Sequence, residues 1–499
     1  MTALLLSLPG DVLITILVNL DVEDLLCTLQ ASLENVLAKL YYDYIISFNT
    51  QTCHALYVFC ASTDYIWHNI KIDYPLNLPH QVITNIHSAE LRKHCVEGLR
   101  IDHNWRKNPP SLKALSRIDN GGIIEQMQYL PPKWLVSMSR VSTSLRPTCV
   151  LSIWDCNTSG DAKRIKHFSL EPHVLSKFSA SLSKDEKHVL VVIFNGHAEI
   201  LRVYHIPLQD SDYLADPDEY ISSRIIKNDM AGSVFEADIC GETVSCLIAQ
   251  FRMGRPSYQV LFLDARSGNH LRVDVNVPPP FTKLQIRLFS DSFLLLSGVQ
   301  SPQNLILRLY DASGFLQKLK NSANIHHDSG LGLGTPCAEY SFSAPGTIHQ
   351  EYKLTTGNLS TAALIFPRGT NNRLVRFPVR SDGNGVTTSG PQSELRSQTF
   401  YRTPAHVDMS PEFIALGPCG QRAVWLERAW NEESDRTGFN LMKGAFSDQP
   451  GAISNVGSLI PTYVALPFEV ETCQSIAFDE AMGRVFLGLY TGEIYVLNL

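Results

Sequence analysis

The sequence predicts a mainly β protein with a short α-helical N-terminus, and three observations lead there. Leu5 to Leu29, LLSLPGDVLITILVNLDVEDLLCTL, carries apolar residues at helical spacing. From about residue 111, short runs rich in Val, Ile, Leu, Phe and Tyr alternate with turns. Within that region an apolar strand ending in Asp, then a small polar Ser-Gly turn, occurs three times: Ile153–Gly160, Phe262–Gly268 and Leu309–Gly314.

The N-terminal stretch opens on Leu8-Pro9, and Pro9 suits a first helical turn because its missing N–H would be unpaired there. Val12, Leu13, Ile16, Leu17 and Leu20 then mark one apolar helix face. Asp21 is placed to cap a second helix, with Asp24 three residues on as a weak capping-box partner. Leu25, Leu26 and Leu29 supply that helix's apolar face. Two helices this apolar cannot bury all their surface against each other. They are either the first hairpin of a core or a docking face for another protein.

Residues 31–51, ASLENVLAKLYYDYIISFNTQ, interrupt the pattern. With them removed, DLLCTLQ runs on into TCHALYVFCASTDYIWHNI and the pattern closes. The joined string resembles the F-box, the three-helix module of cullin–RING ubiquitin ligase receptors. The matching residues are Leu8-Pro9, Val12-Leu13, Ile16-Leu17, Leu20, Asp24-Leu25-Leu26, Thr52-Cys53, Leu56-Tyr57 and Trp67. The resemblance implies that Leu8, Pro9, Val12, Leu13, Ile16, Leu17, Leu20, Leu25, Leu26 and Trp67 bind a Skp-type adaptor and, through it, a cullin. Leu8, Pro9, Leu13 and Leu17 are the foremost contacts, and Trp67 is a module-core residue shaping the interface edge. The insertion reads as a retained intron. Gln30 and Gln51 can both be encoded by CAG, Ala31-Ser32 can be encoded by GCAAGT, and the inserted length preserves frame. The alternative is a real loop or helix extension that weakens adaptor binding.

Residues 72–110 form a bridge. Pro75 and Pro79 punctuate a loop, and Ser88 caps a predicted helix through AELRKHCVEGLRIDHNW, with Leu91, Cys95 and Leu99 on one face. Pro109-Pro110 ends it. Arg92-Lys93 and Arg106-Lys107 read as solvated charge.

The β region is too long for one sandwich. In the Asp-ended repeat, the Asp side chain can bond the turn backbone and Gly supplies a positive φ. Weaker strand ends near His205, Val379, Glu427 and Asn498 complete a series spaced at about one four-stranded blade each. The expectation is a degenerate β-propeller of seven blades, with six or eight as the alternatives. Ile153-Trp154-Asp155 is similar to the Trp-Asp dipeptide of WD repeats, once only and without the matching Gly-His. The chain ends in a strand, Gly492–Leu499, and an open edge is an aggregation hazard. A strand around Leu112–Ile118 is therefore expected to close the last blade. The division reads 1–71, F-box; 72–110, helical linker; 111–499, propeller-like domain. In that order they resemble the fungal F-box proteins with propeller-like C-terminal regions.

Composition limits the alternatives. The 499 residues are 44% hydrophobic, with a net charge of −7, mild for this length and without the basic patch of a nucleic-acid binder. Asp11 interrupts the N-terminal apolar run, which lacks a basic flank, so neither a signal peptide nor a membrane span is expected. Eleven cysteines without Cys-x-x-Cys spacing suggest reduced thiols in the cytosol or nucleus rather than zinc or disulfides.

Motifs for chemistry are weak. Gly330-Leu-Gly332-Leu-Gly334 lacks the lysine and helix of a phosphate loop and reads as flexible. His326-His327 lacks a third metal ligand, and Asp210 to Glu219 lacks calcium-loop geometry. Residues 380–397 read as an insertion. No cofactor or metal is expected. The leading reading is a non-catalytic substrate receptor of an SCF-type ubiquitin ligase, with an unknown protein target on the propeller and no nucleic acid or membrane partner. The alternatives are a propeller scaffold outside ubiquitin chemistry, tolerant of Leu13→Asp, and a propeller enzyme with convergent carboxylates, histidines or a metal at its centre.

Overall fold

The computed structural model describes residues 8–26, 58–59, 63–78, 86–142, 147–157, 162–170, 176–195, 200–208, 222–226, 233–252, 255–275, 281–289, 292–300, 304–321, 331–343, 353–356, 361–366, 373–378, 398–402, 409–431, 436–446, 455–461 and 464–499. The inserted residues 31–51, Thr52-Cys53, Leu56-Tyr57, the acidic run, His326-His327 and residues 380–397 lie outside them. The chain divides into two compact units, one of Met1–Ser111 with Ala481–Gly483 and Leu499, the other of Leu112–Glu480 and Arg484–Asn498.

The N-terminal unit is helical. Helix α1 spans Gly10–Val18. Pro9 sits at its N-cap in an extended conformation, one position earlier than expected, and its carbonyl accepts from the Leu13 N–H at 3.0 Å. Asp21 Oδ1 accepts from the Asp24 N–H at 2.7 Å, the cap that the spacing predicts, and helical turns begin at Val22. Helix α2 is Asp64–Asn69 and α3 is Ser88–Arg106. The α3 cap is His87 rather than Ser88, its Nδ1 accepting from the Ala89 N–H. Leu13, Leu17, Val22, Leu25, Ile66, Trp67, Leu91 and Cys95 form one buried cluster. The bridge helix is thus part of the module's own core, and residue 71 marks no division within it. Asn104 holds the chain where it leaves α3, since Oδ1 accepts from the Ser111 N–H at 2.9 Å and Nδ2 donates to the Ser111 carbonyl at 2.8 Å.

The second unit is a β-propeller. Its strands, numbered β1 to β28 in chain order, form seven four-stranded antiparallel sheets among the described residues. Six sheets use consecutive strands, opening with β2 (Ile123–Leu130), β6 (Lys177–Leu182), β10 (Ser233–Cys240), β14 (Phe281–Phe289), β18 (Lys353–Thr356) and β22 (Met409–Leu416). The seventh combines β26 (Cys473–Asp479), β27 (Arg484–Leu489) and β28 (Glu493–Asn498) with β1 (Ala114–Asp119) in the order β1-β28-β27-β26. Ala114 pairs with Asn498 and Asp119 with Glu493, so a strand preceding the first sheet covers the edge left by the last. The first strands meet around the centre, and β26 returns to β2.

Adjacent sheets are joined by polar side chains on alternate residues of these first strands, where period-two geometry puts both on one face. Gln126 and Gln128 of β2 each accept from and donate to the β6 backbone, at Phe178 and Ala180, over 2.7–3.0 Å. Ser179 Oγ of β6 donates to Asp238 of β10 at 2.8 Å, and Ser181 Oγ accepts from the Gly241 N–H at 2.9 Å. Glu236 and Asp238 of β10 accept from the Ile286 and Leu288 N–H groups of β14 at 2.9 and 2.8 Å. Ser475 of β26 accepts from the Met127 N–H at 2.9 Å and completes the return to β2.

The sixth and seventh sheets meet at Glu480, which is 1% exposed. Its Oε1 accepts from the Gln421 and Arg422 N–H groups at 2.8 Å each, and Oε2 from the Cys419 N–H at 2.6 Å. Arg422, also buried, donates to the Glu480 carbonyl at 2.8 Å. Burial pushes the Glu480 carboxyl above its ordinary range, while the three N–H groups and the Arg422 charge pull it down. Gly417 leaves the space this needs: a Cβ there would lie 2.3 Å from the carboxyl carbon.

The repeat used to count strand ends is the end of each sheet's third strand: β4 (Pro147–Asp155), β12 (Arg255–Asp264) and β16 (Asn304–Asp311) finish on its three Asp residues. Asp264 Oδ1 accepts from the Arg266 and Ser267 N–H groups at 2.8 and 3.1 Å, and Gly268 has φ +76, as the turn requires. Two expectations are corrected. Glu427 lies in β23 (Arg422–Asn431), a second strand, and the third strand of that sheet, β24 (Arg436–Ala445), ends at Ala445. Gly314 starts no turn into a strand; it lies in helix α4 (Ser313–Asn321), whose Leu316 and Leu319 are buried.

Candidate functional site

The helical unit separates its apolar residues into two sets. A helix turns 3.6 residues at a time, so positions four apart share a face. Leu13 and Leu17 are that pair on the inner face, 4% and 3% exposed, and they pack with Leu25 and Trp67. Leu8, Val12 and Ile16 form the outer series, 36%, 40% and 38% exposed, with Pro9 also exposed. Val12 and Ile16 stand about 6 Å apart along the axis of α1, and Leu8 and Pro9 precede its first residue.

The residues the F-box resemblance nominates therefore do not form one surface. Leu8, Pro9, Val12 and Ile16 face outward, while Leu20 and Leu26 pack at the margin of the core. Leu13, Leu17, Leu25 and Trp67 are buried within the unit, where their apolar area stabilises the module and offers no contact surface. The physical reason is that α2 and α3 supply a partner for this face that the first 29 residues do not contain. Leu13→Asp is accordingly a test of folding. Tyr65 and Val58, 58% and 47% exposed, add apolar surface on the same unit. Their adjacency to buried Ile66 and half-buried Phe59 is the only sequence signal that marks them.

The propeller's central cavity has a volume of about 590 Å³ and is lined from β2, β6, β10, β14, β22 and β26. Its carboxylates are engaged in the fold. Glu125 pairs with Arg140 at 3.2 Å, Glu236 with Arg287 at 2.5 Å, and Asp238 accepts from Ser179 and the Leu288 N–H. No histidine or cysteine lines the cavity among the described residues, and no group of three metal-ligating side chains occurs among them. Phe413, also in the wall, has φ +47 at a bulge of β22, a left-handed conformation that bulky residues seldom adopt. Trp154 of the Trp-Asp dipeptide is buried, and its Nε1 donates to Ser137 Oγ at 3.0 Å, which donates in turn to Asn120 Oδ1 at 3.0 Å. It is a structural residue.

No protein-family model matches the chain. No curated protein matches it either. Among solved structures, it is similar to the β-propeller domain of the Trilobed protease from Pyrococcus furiosus, with 9% identity and a TM-score of 0.41, over 75% of this chain and 95% of that one. It is also similar to prolyl oligopeptidase B from Galerina marginata, with 11% identity and a TM-score of 0.32, over 61% of this chain and 39% of that one. Values this low carry no argument about activity. No described helix is long and apolar enough to cross a membrane.

Proposed function

We propose that the chain is a non-catalytic substrate receptor of a cullin–RING ubiquitin ligase, docking a Skp-type adaptor through its N-terminal unit and a protein target through its propeller. The observation that supports this is the exposed pair Val12 and Ile16 on α1, with Leu8-Pro9 exposed just before it, beside a face that already fills the unit's own core. An apolar strip left over after the module has packed is what an amphipathic-helix partner can cover. In this reading the chain works in the cytosol or nucleus and supplies proximity, which makes transfer to the bound target effectively intramolecular. Each of the seven four-stranded sheets is taken as one blade, with β1 completing the last.

Pull-down with a Skp-type adaptor, using chains with and without residues 31–51, tests the proposal. Capture of either form supports a receptor, and stronger capture of the shorter form marks the insertion as obstructive. Failure of both leaves a propeller scaffold outside ubiquitin chemistry as the better account.

A further inference from the structure

The Gly330-Leu-Gly332-Leu-Gly334 run, expected to be a free loop, has a defined seat from Leu331 onward. The connection between β16 and β17 (Ala338–Ser343) reaches back to the preceding sheet. Its helix α4 packs on β12 and β13 (His270–Val275), and the glycine-leucine segment then lies along β13. The Asp274 N–H donates to the Leu331 carbonyl at 2.7 Å, and the Leu333 N–H donates to the Asp274 carbonyl at 3.0 Å. These bonds bracket Gly332 in a parallel bridge. Leu333 is 7% exposed in a cluster with Leu271, Val273, Leu316 and Leu319, and half-buried Leu331 packs against the same cluster. The segment thus behaves as a short added strand, in which backbone bonds set the register and alternate side chains enter the apolar surface.

Its backbone hold on the edge is slight. One residue of β13 supplies both hydrogen bonds, and glycines alternate with the two leucines. Glycine loses more backbone freedom on ordering than any other residue, so this sequence is poorly suited to staying bound. Gly334 has φ +75, where glycine is favoured, and it ends the extended run.

We propose that Leu331–Gly334 is a built-in strap on a peptide site, and that a target segment in extended conformation, with aliphatic residues at alternate positions, binds the β13 edge by displacing it. The class of occupant follows from the chain's own segment seated there: backbone pairing to Asp274 and a Leu-x-Leu pattern against the surface of β13 and α4. The biological role rests on the receptor reading, for which this site would be the target-binding surface. Peptide binding itself needs no adaptor, so either reading can fail alone.

The probe is a labelled peptide of residues 329–336, SGLGLGTP, titrated by fluorescence anisotropy into the full-length chain and into full-length Leu331→Asp/Leu333→Asp. The variant, its own strap released, is expected to bind at least about tenfold more tightly than the unsubstituted chain. A control peptide with both leucines replaced by Asp should bind neither. A folded variant that binds no peptide, or binds it no better than the unsubstituted chain, overturns the proposal. Hydrogen exchange on the unsubstituted chain decides the matter if the variant does not fold. The Leu333 and Asp274 amides are expected to exchange at least about tenfold faster than amides of the β12–β13 ladder, and equal protection would show a fixed strap.

Discussion

Glu480 and Lys443 are both buried charges, and they differ in what surrounds them. Glu480 is held by three N–H groups of the Cys419–Arg422 turn. Glu480→Gln keeps an oxygen for Gln421 and Arg422 but sets an amide NH₂ against the Cys419 N–H, a donor facing a donor. Glu480→Ala would leave all three N–H groups unpaired, at roughly 1–3 kcal/mol for each buried group. Both variants should unfold at lower denaturant than the unsubstituted chain, Ala more so. Gly417→Ala should follow them through its clash with the carboxyl, and denaturant melts with unchanged midpoints would show that the clasp is unimportant. Lys443, fully buried, has no hydrogen-bond partner for Nζ among the described residues, and burial pushes its pKa down to about 8. A base whose folded pKa lies below its unfolded value holds fewer protons when folded. Stability from this group therefore rises with pH between about 8 and the ordinary 10.5, and the full penalty is present below about 8. Lys443→Met should raise the melting temperature at pH 7 and flatten its rise between pH 8 and 10. A variant with the parent's pH profile would contradict this assignment.

At the scale of elements, α1 buries one face and exposes another. Leu17→Ala removes a buried side chain and should cost roughly 2–5 kcal/mol, read as a lower unfolding midpoint. Surface changes at Val12 or Ile16 should leave that midpoint within about 0.5 kcal/mol. The apolar spacing made this helix legible, and the Asp21 cap was legible from its side chain. Which of its apolar residues face outward was not, because that depends on α2 and α3, dozens of residues away. Helix α4 was missed for a different reason. Its Ser313-Gly314 opening reads as turn chemistry, and only the burial of Leu316 and Leu319 on a neighbouring sheet overrides it. The glycine-leucine run reads as flexible in the sequence because no local pattern shows that Asp274 waits for it.

The whole propeller depends on joining its ends. The Asp-ended third strands made the repeat visible in the sequence, and in the structure β1 pairs along the edge of β28. This strand begins two residues later than expected. The joining of adjacent sheets by Gln126, Gln128, Ser179, Glu236 and Asp238 was not legible, since polar residues in strands look the same whether they face solvent or a neighbouring sheet. A chain starting at Leu112 should melt cooperatively, whereas one starting at Ile123, lacking β1, exposes the β28 edge. The shorter chain should melt at lower temperature and aggregate with rising concentration. Equal melting of the two would mean that β1 is dispensable.

The central claim is that α1 docks a partner with one face while packing its own core with the other. Co-purification of a Skp-type adaptor with the full-length chain, set beside Val12→Asp/Ile16→Asp, tests it most directly. The account predicts adaptor bound to the unsubstituted chain and lost from the variant, with the variant's melting temperature unchanged. Adaptor retained by a folded variant, or absent from the unsubstituted chain with and without residues 31–51, would contradict it.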